Sequence, residues 1–378
     1  MTPAPLIESL GVHWEQPAPV TALAWSAAGT SVGYALGDGH VVVADTRWTQ
    51  GPKLLLRPEG GVLLEPATTP APQPLRASCH PGVSLCIAAD ATGGFVSGGD
   101  GGHLVRLPRL GAPEIVSHHP GAWVDTVACT AHGMQAHSSG KRVYRMNAEH
   151  GETLALPASA TALAFCPNDK TLAIAHYGGV TLWAADASTR LLEWPGYHRA
   201  LAWSPDGLYL VSGMQENALH GWRVTDASDI EMGGYPGQPL SLAFSHDGRY
   251  LVTSGGTRPV CWGFDPPGAH KSPVECGIAS RTPVTRVACN PERSLIASGY
   301  HNGAVMLCQP GHDDGLFVRG SGGGAVNALA WSGDGARLAF GTQGGVFGWL
   351  NLPELLFRTS ARNAVAAPLD VLTEATQS

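Results

Sequence analysis

One pattern is written eight times along this chain, and no other feature restricts its fold so strongly. Four copies are plain: ALAWSPDGLYLVSGMQENALHGWRV from Ala200, SLAFSHDGRYLVTSGGTRPVCWGF from Ser241, RVACNPERSLIASGYHNGAVMLCQ from Arg286 and ALAWSGDGARLAFGTQGGVFGWL from Ala328. Four weaker copies begin at Ala22, Leu85, Thr126 and Ala162. Aligned on the residue that ends the first apolar run, they place Trp25, Ala88, Cys129, Phe165, Trp203, Phe244, Cys289 and Trp331 at one position. The spacing is 36 to 45 residues except for the first interval of 63, which carries the Pro-rich GGVLLEPATTPAPQPLR. A period in the forties belongs to a propeller or an array.

Each copy predicts strand, turn, strand, turn, strand. The opening ALAW is apolar on both faces, as an innermost strand packed between neighbours must be. Pro205-Asp206-Gly207 supplies a preset φ followed by a residue that tolerates positive φ, which makes a tight turn. The next run alternates, and a glycine-rich turn leads to a third apolar strand. A single sheet of this kind cannot bury its own faces. Copies arranged in a ring bury one another and leave only short edges. The expected fold is therefore all-β, a closed β-propeller of four-stranded blades, with eight blades favoured and seven the alternative. Residues 1–378 form one unit with repeats over about 10–352, a Pro-rich insertion at 51–80 between the first and second repeats, and a tail at 353–378. Gly11 to Pro17 is expected to close the ring as the outer strand of the last blade, with the tail as the alternative.

Composition narrows the function. Gly 49 and Pro 29 fit a turn-rich β fold. Charged residues make up only 14%, with a net charge of −7, which argues against a nucleic-acid surface. The opening residues lack the basic-then-apolar layout of a secretion signal, and no run approaches the ~18 apolar residues of a membrane span. The expectation is a cytoplasmic protein, a monomer on its own, touching neither membrane nor nucleic acid. Its eight cysteines form no C-x-x-C pair, and several lie within apolar strands, so they are expected reduced and buried.

On these repeats the chain resembles the WD-repeat family. The tryptophan of the family's third strand is kept at Trp183, Trp222, Trp262 and Trp349 and replaced at Ala44, Leu107, Met146 and Cys308. No Trp-Asp pair stands at those tryptophans, although Asp45 keeps the acidic position in the first copy. The resemblance implies a buried relay of His, Ser or Thr, and that Trp. It fits best at His198, Ser212 and Trp222, while Ser97 and Ser298 keep only its middle member. The family further implies a rigid platform that binds a partner protein and has no chemistry of its own.

The motifs agree with a binding role. No phosphate-binding glycine loop and no H-E-x-x-H is present. Trp123, Tyr197 and Tyr235 each precede an inner strand, where the family's inter-blade loop emerges on its most used binding face, and they would supply rigid amphipathic contact area. The turn pairs His176–Tyr177 and Tyr300–His301 complete the expected partner-binding set. The 16 histidines, including His118 and His119, open a second reading as a metal or small-molecule sensor, although no zinc-ligand spacing is present. A third reading is a propeller enzyme of the lactone hydrolase or quinone-dependent dehydrogenase type, which would need polar groups converging at the channel mouth. The expectation is no catalytic residue, no cofactor and no resident metal.

Overall fold

The structure, a computed structural model, describes residues 5–57, 61–264 and 270–358. The chain is a closed ring of antiparallel sheets. Six are separate four-stranded sheets, and one apparent six-stranded sheet is two blades joined by long strands. The strand Thr171–Ala184 folds back at Gly178 and Gly179, both at positive φ. Its arms close again where Ala185 N–H donates to Lys170 O at 2.8 Å. The strand Thr189–Trp203 serves both blades: Thr189–Glu193 pairs with Gly179–Trp183, and Ala200–Trp203 with Leu210–Gly213. Eight inner strands follow one another round the channel: Val20–Trp25, Ser84–Ala89, Val127–Cys129, Ala162–Phe165, the end of Thr189–Trp203, Leu242–Phe244, Val284–Cys289 and Val326–Trp331. The last lies against the first, so the ring has eight blades, numbered here in that order.

Sequence explains each blade locally. In Ser204-Pro205-Asp206-Gly207 the Ser204 hydroxyl donates to Asp206 Oδ1 at 2.5 Å and accepts from Tyr209 N–H at 2.9 Å. Asp206 Oδ1 also accepts from Leu208 N–H at 3.0 Å, and Gly207 takes φ +70°. Ser245-His246-Asp247-Gly248 and Ser332-Gly333-Asp334-Gly335 repeat the arrangement. Side chains that bond their own turn in this way fix its shape before any tertiary contact forms.

The core lies between sheets, not within one. Ala136 and Val143 of blade 3 pack with Leu172, Ile174 and Trp183 of blade 4, and the other interfaces are built alike. Hydrogen bonds at the inner strands add direction to this packing. Thr21 Oγ1 reaches forward to Ser84 O of the next blade at 2.6 Å, and Thr285 Oγ1 to Val326 O at 2.7 Å. Thr161 does the same toward His198 O. At the other end of the strand, tryptophan reaches back: Trp203 Nε1 donates to Ala164 O at 3.0 Å and Trp331 Nε1 to Ala288 O at 3.1 Å.

The ring is closed by the N-terminal segment. Gly11–Glu15 pairs antiparallel with Val346–Leu350 as the fourth strand of blade 8. Ahead of it, the short helix Leu6–Leu10 buries Leu6, Ile7 and Leu10 in the core of blades 7 and 8. The tail contributes the helix Leu355–Arg358; the rest of the expected tail, 359–378, lies outside the described residues. Part of the Pro-rich insertion joins the ring. It interrupts blade 1 between its third and fourth strands, and its end, Leu75–Ser78, is that blade's fourth strand. Lys53–Leu56 and Val62–Glu65 form a separate hairpin beside the ring. All eight cysteines are free; five are buried, while Cys79, Cys129 and Cys289 are only half-buried, the last two at the ends of inner strands. Among the described residues no helix is long and apolar enough to cross a membrane.

Candidate functional site

Because strands alternate in direction, every turn between second and third strands and every blade-to-blade connector emerges on one rim. All seven expected contact residues lie in these segments. Burial divides them. Trp123, in the connector from blade 2 to blade 3, is 60% exposed, and Tyr177, in the turn of blade 4, is 62% exposed. Tyr197 is half-buried in the next connector, its ring 6.3 Å from that of Tyr177 at 49°. The Arg199 guanidinium lies 5.8 Å from the Tyr197 ring, and the Tyr197 backbone N–H donates to Glu216 Oε1 at 3.0 Å. These residues form one amphipathic patch over blades 4 and 5. His301 is exposed in the turn of blade 7, apart from that patch.

Three expected contact residues leave the surface. Tyr235 is 9% exposed, and its hydroxyl bridges Thr253 Oγ1 at 2.6 Å and Trp262 Nε1 at 2.5 Å. It occupies the first place of a complete Tyr-Thr-Trp relay in blade 6, where the family resemblance leads one to expect His. Tyr300 is 4% exposed within the core of blades 6 and 7. His176 is 1% exposed, its ring fixed between Tyr177 O at 2.9 Å and Thr181 Oγ1 at 2.8 Å. A buried polar ring needs such partners, and here the turn supplies them.

The relay expected in blade 5 begins as foreseen: His198 Nδ1 and Ser212 Oγ are 2.8 Å apart, and His198 Nε2 meets Trp194 O at 3.0 Å. The Trp222 ring lies 5.7 Å from the His198 ring, at 40°. Ser97, for which the sequence showed no His partner, has one. His80 Nε2 lies 3.0 Å from its hydroxyl.

The histidines do not converge on the channel. His118 stacks on His103 at 4.2 Å, while His119 Nε2 and His137 Nε2 are 3.0 Å apart beside Ser117 and Tyr144. Burial, and then the charge His119 would carry, push the His137 pKa down to about 4. Among the described residues, no group of three or more His, Cys, Asp or Glu side chains is placed to hold a metal ion.

The opposite rim carries a cleft of about 690 Å³ between blades 1 and 2, lined by Arg47, Arg76, Arg109, Leu75 and Leu110 among others. Asp45 accepts from Arg47 Nε at 3.0 Å, a bond that lowers the pKa of the Asp45 carboxyl. Leu75 and Leu110 are exposed. Sequence periodicity misses this cleft because the insertion supplies one wall, Pro72 and Gln73.

No family model matches this chain, and no curated protein matches it in sequence. The solved structures it resembles include the crystal structure of the computationally designed Ika8 protein, at 17% identity, with 89% of this chain and 98% of that one covered and a TM-score of 0.66. The structure of the Dos1 propeller is similar at 13% identity, covering 91% of this chain and 94% of that one with a TM-score of 0.67. At such identities the likeness establishes the fold alone. The chain folds as an all-β propeller of four-stranded blades.

Proposed function

We propose that this protein is a scaffold of the WD-repeat type, without catalytic activity, that takes a partner protein on its connector rim. The observation that carries this reading is the patch of Tyr177, Tyr197 and Arg199 with Trp123 on the same rim. Exposed aromatic rings and arginine on a rigid support supply the anchors that dominate protein interfaces, at little entropic cost. A ring of blades tied to one another supplies that support. In this reading the protein works as a cytoplasmic monomer, independent of nucleic acid, membrane and cofactor.

The test is purification of the tagged protein from its native cell in mild salt, with mass spectrometry and metal analysis of the same eluate. Wild type is compared with a Trp123→Ala, Tyr177→Ala, Tyr197→Ala triple variant and with Leu75→Asp, Leu110→Asp in the cleft. A stoichiometric partner retained by the cleft variant and lost by the rim variant supports the proposal. Loss only in the cleft variant moves the contact to the other rim. A tightly held metal or cofactor without a protein partner sinks the scaffold reading.

A further inference from the structure

Blade 6 holds two thiols closer together than ordinary packing allows. Cys261 Sγ and Cys276 Sγ are 3.0 Å apart, inside the ~3.5 Å at which even carbon atoms meet at rest. Cys261 lies in the third strand, Val260–Gly263, paired with Val274 of the fourth; Cys276 follows two residues later, so both side chains face the same way. Both are fully buried in the core of blades 6 and 7. We propose that Cys261 and Cys276 are a reversible redox pair, forming a disulfide that staples the third strand of blade 6 to the chain just past its fourth.

The surroundings suit one of the sulfurs to start the reaction. Cys276 Sγ accepts the backbone N–H of Gly311 at 3.1 Å, and Arg258, whose Nε donates to Cys276 O at 3.4 Å, brings a positive charge nearby. A thiolate is the attacking species in disulfide exchange, and a donor and a cation favour it. Hydrogen bonding between the two thiols, helped by Gly311 and Arg258, lowers Cys276, and the same bond with burial raises Cys261. The two sulfurs thus have different parts: Cys276 attacks and Cys261 resolves.

The lid is a turn of the next blade. Gly311, His312 and Asp313 lie over Cys276 and are held by the Gly311 contact, by Gly277 N–H donating to His312 O at 2.7 Å, and by an Arg258–Asp313 ion pair. Lifting this surface turn admits a low-molecular-weight disulfide such as oxidised glutathione. The Cys276 thiolate attacks one of its sulfurs and expels a glutathione thiolate, which takes up a proton. Cys261 then loses its proton, attacks Cys276 sulfur and expels the second glutathione. Two thiols are oxidised, one disulfide is reduced, and two glutathione thiols are released.

The folded full-length protein is incubated with oxidised glutathione, its remaining thiols are alkylated, and it is digested without reduction for peptide mapping. The expected product is a Cys261–Cys276 cross-link, with a mass lower by two hydrogens, six of the eight cysteines alkylated and a higher melting temperature, all reversed by dithiothreitol. Cys261→Ser should stop at a glutathione adduct on Cys276, and Cys276→Ser should give neither product. The wild-type map does not depend on whether these variants fold. Alkylation of all eight cysteines, a wild-type adduct that never resolves, or a cross-link from Cys276 to Cys308 would each overturn the proposal.

Discussion

Trp25 donates its indole N–H to the carbonyl of Ala330 at 3.0 Å, joining residues from opposite ends of the chain across the seam between blades 1 and 8. Trp203 and Trp331 make the same bond to the blade before them. The aromatic residue that ends each ALAW run is therefore a clasp between blades as well as a packing element. Phe165 and Phe244 occupy the position without a donor, so packing alone can hold it.

Trp25→Phe should keep an aromatic ring at the seam, a smaller one as at Phe165 and Phe244, and lose the bond, so the loss is at least that of the bond. A net cost of about 1 kcal/mol is expected for one such hydrogen bond, read as a lower urea midpoint with an unchanged slope. A changed slope would mean that the seam opens before the rest of the ring.

Tyr235→Phe tests the relay of blade 6. Removing the hydroxyl leaves Thr253 and Trp262 without their shared partner in the core. The expected loss is about 2 kcal/mol, since orphaned buried groups cost more than the bond itself. The same variant should leave partner capture unchanged. If capture fails while the fold is intact, Tyr235 belongs to the contact surface after all.

Gly213 lets blade 6 approach blade 5. A Cβ built there would stand 2.2 Å from the carbonyl oxygen of Pro239, in the incoming connector, which has little room to yield. Gly213→Ala is expected to destabilise by about 1–3 kcal/mol, as overpacking does. Thermal unfolding beside wild type measures it. Gly140→Ala makes a useful companion, because a Cβ there meets nothing within 4 Å and its penalty comes from positive φ.

Acid should weaken the fold through histidines held neutral. Burial pushes His80, His137 and His220 each down to about 4. Their folded values lie below the ~6.5 of the unfolded chain, so the unfolded state binds more protons between the two. Stability from these groups is complete above pH ~6.5 and is lost as the pH falls toward about 4. Denaturant midpoints at several pH values should show that slope, and His137→Gln should flatten it. An unchanged slope in the variant would mean that this ring is already charged in the folded state.

The rim residues should behave in the opposite way. Trp123→Ala and Tyr177→Ala are expected to change stability by no more than about 0.5 kcal/mol, the usual range for exposed positions. A larger loss in calorimetry would make them part of the packing.

The ring and its turns are legible in the repeats of the chain. Its period repeats a unit too small to bury its own faces, and Ser-x-Asp-Gly carries within four residues every group that its turn requires. The tertiary structure decided which aromatic residues face solvent. Tyr197 and Tyr235 precede inner strands alike, yet only Tyr235 meets a Thr and a Trp able to bond its hydroxyl, and so it turns inward. The end of the insertion shows the same dependence: Leu75–Ser78 becomes a strand by pairing with His40–Val43 at the open edge of blade 1. Periodicity encodes what the backbone does within a repeat. The Trp25–Ala330 clasp, the His119–His137 pair and the Cys261–Cys276 contact depend on distances across strands and blades, and those exist only once the ring has closed.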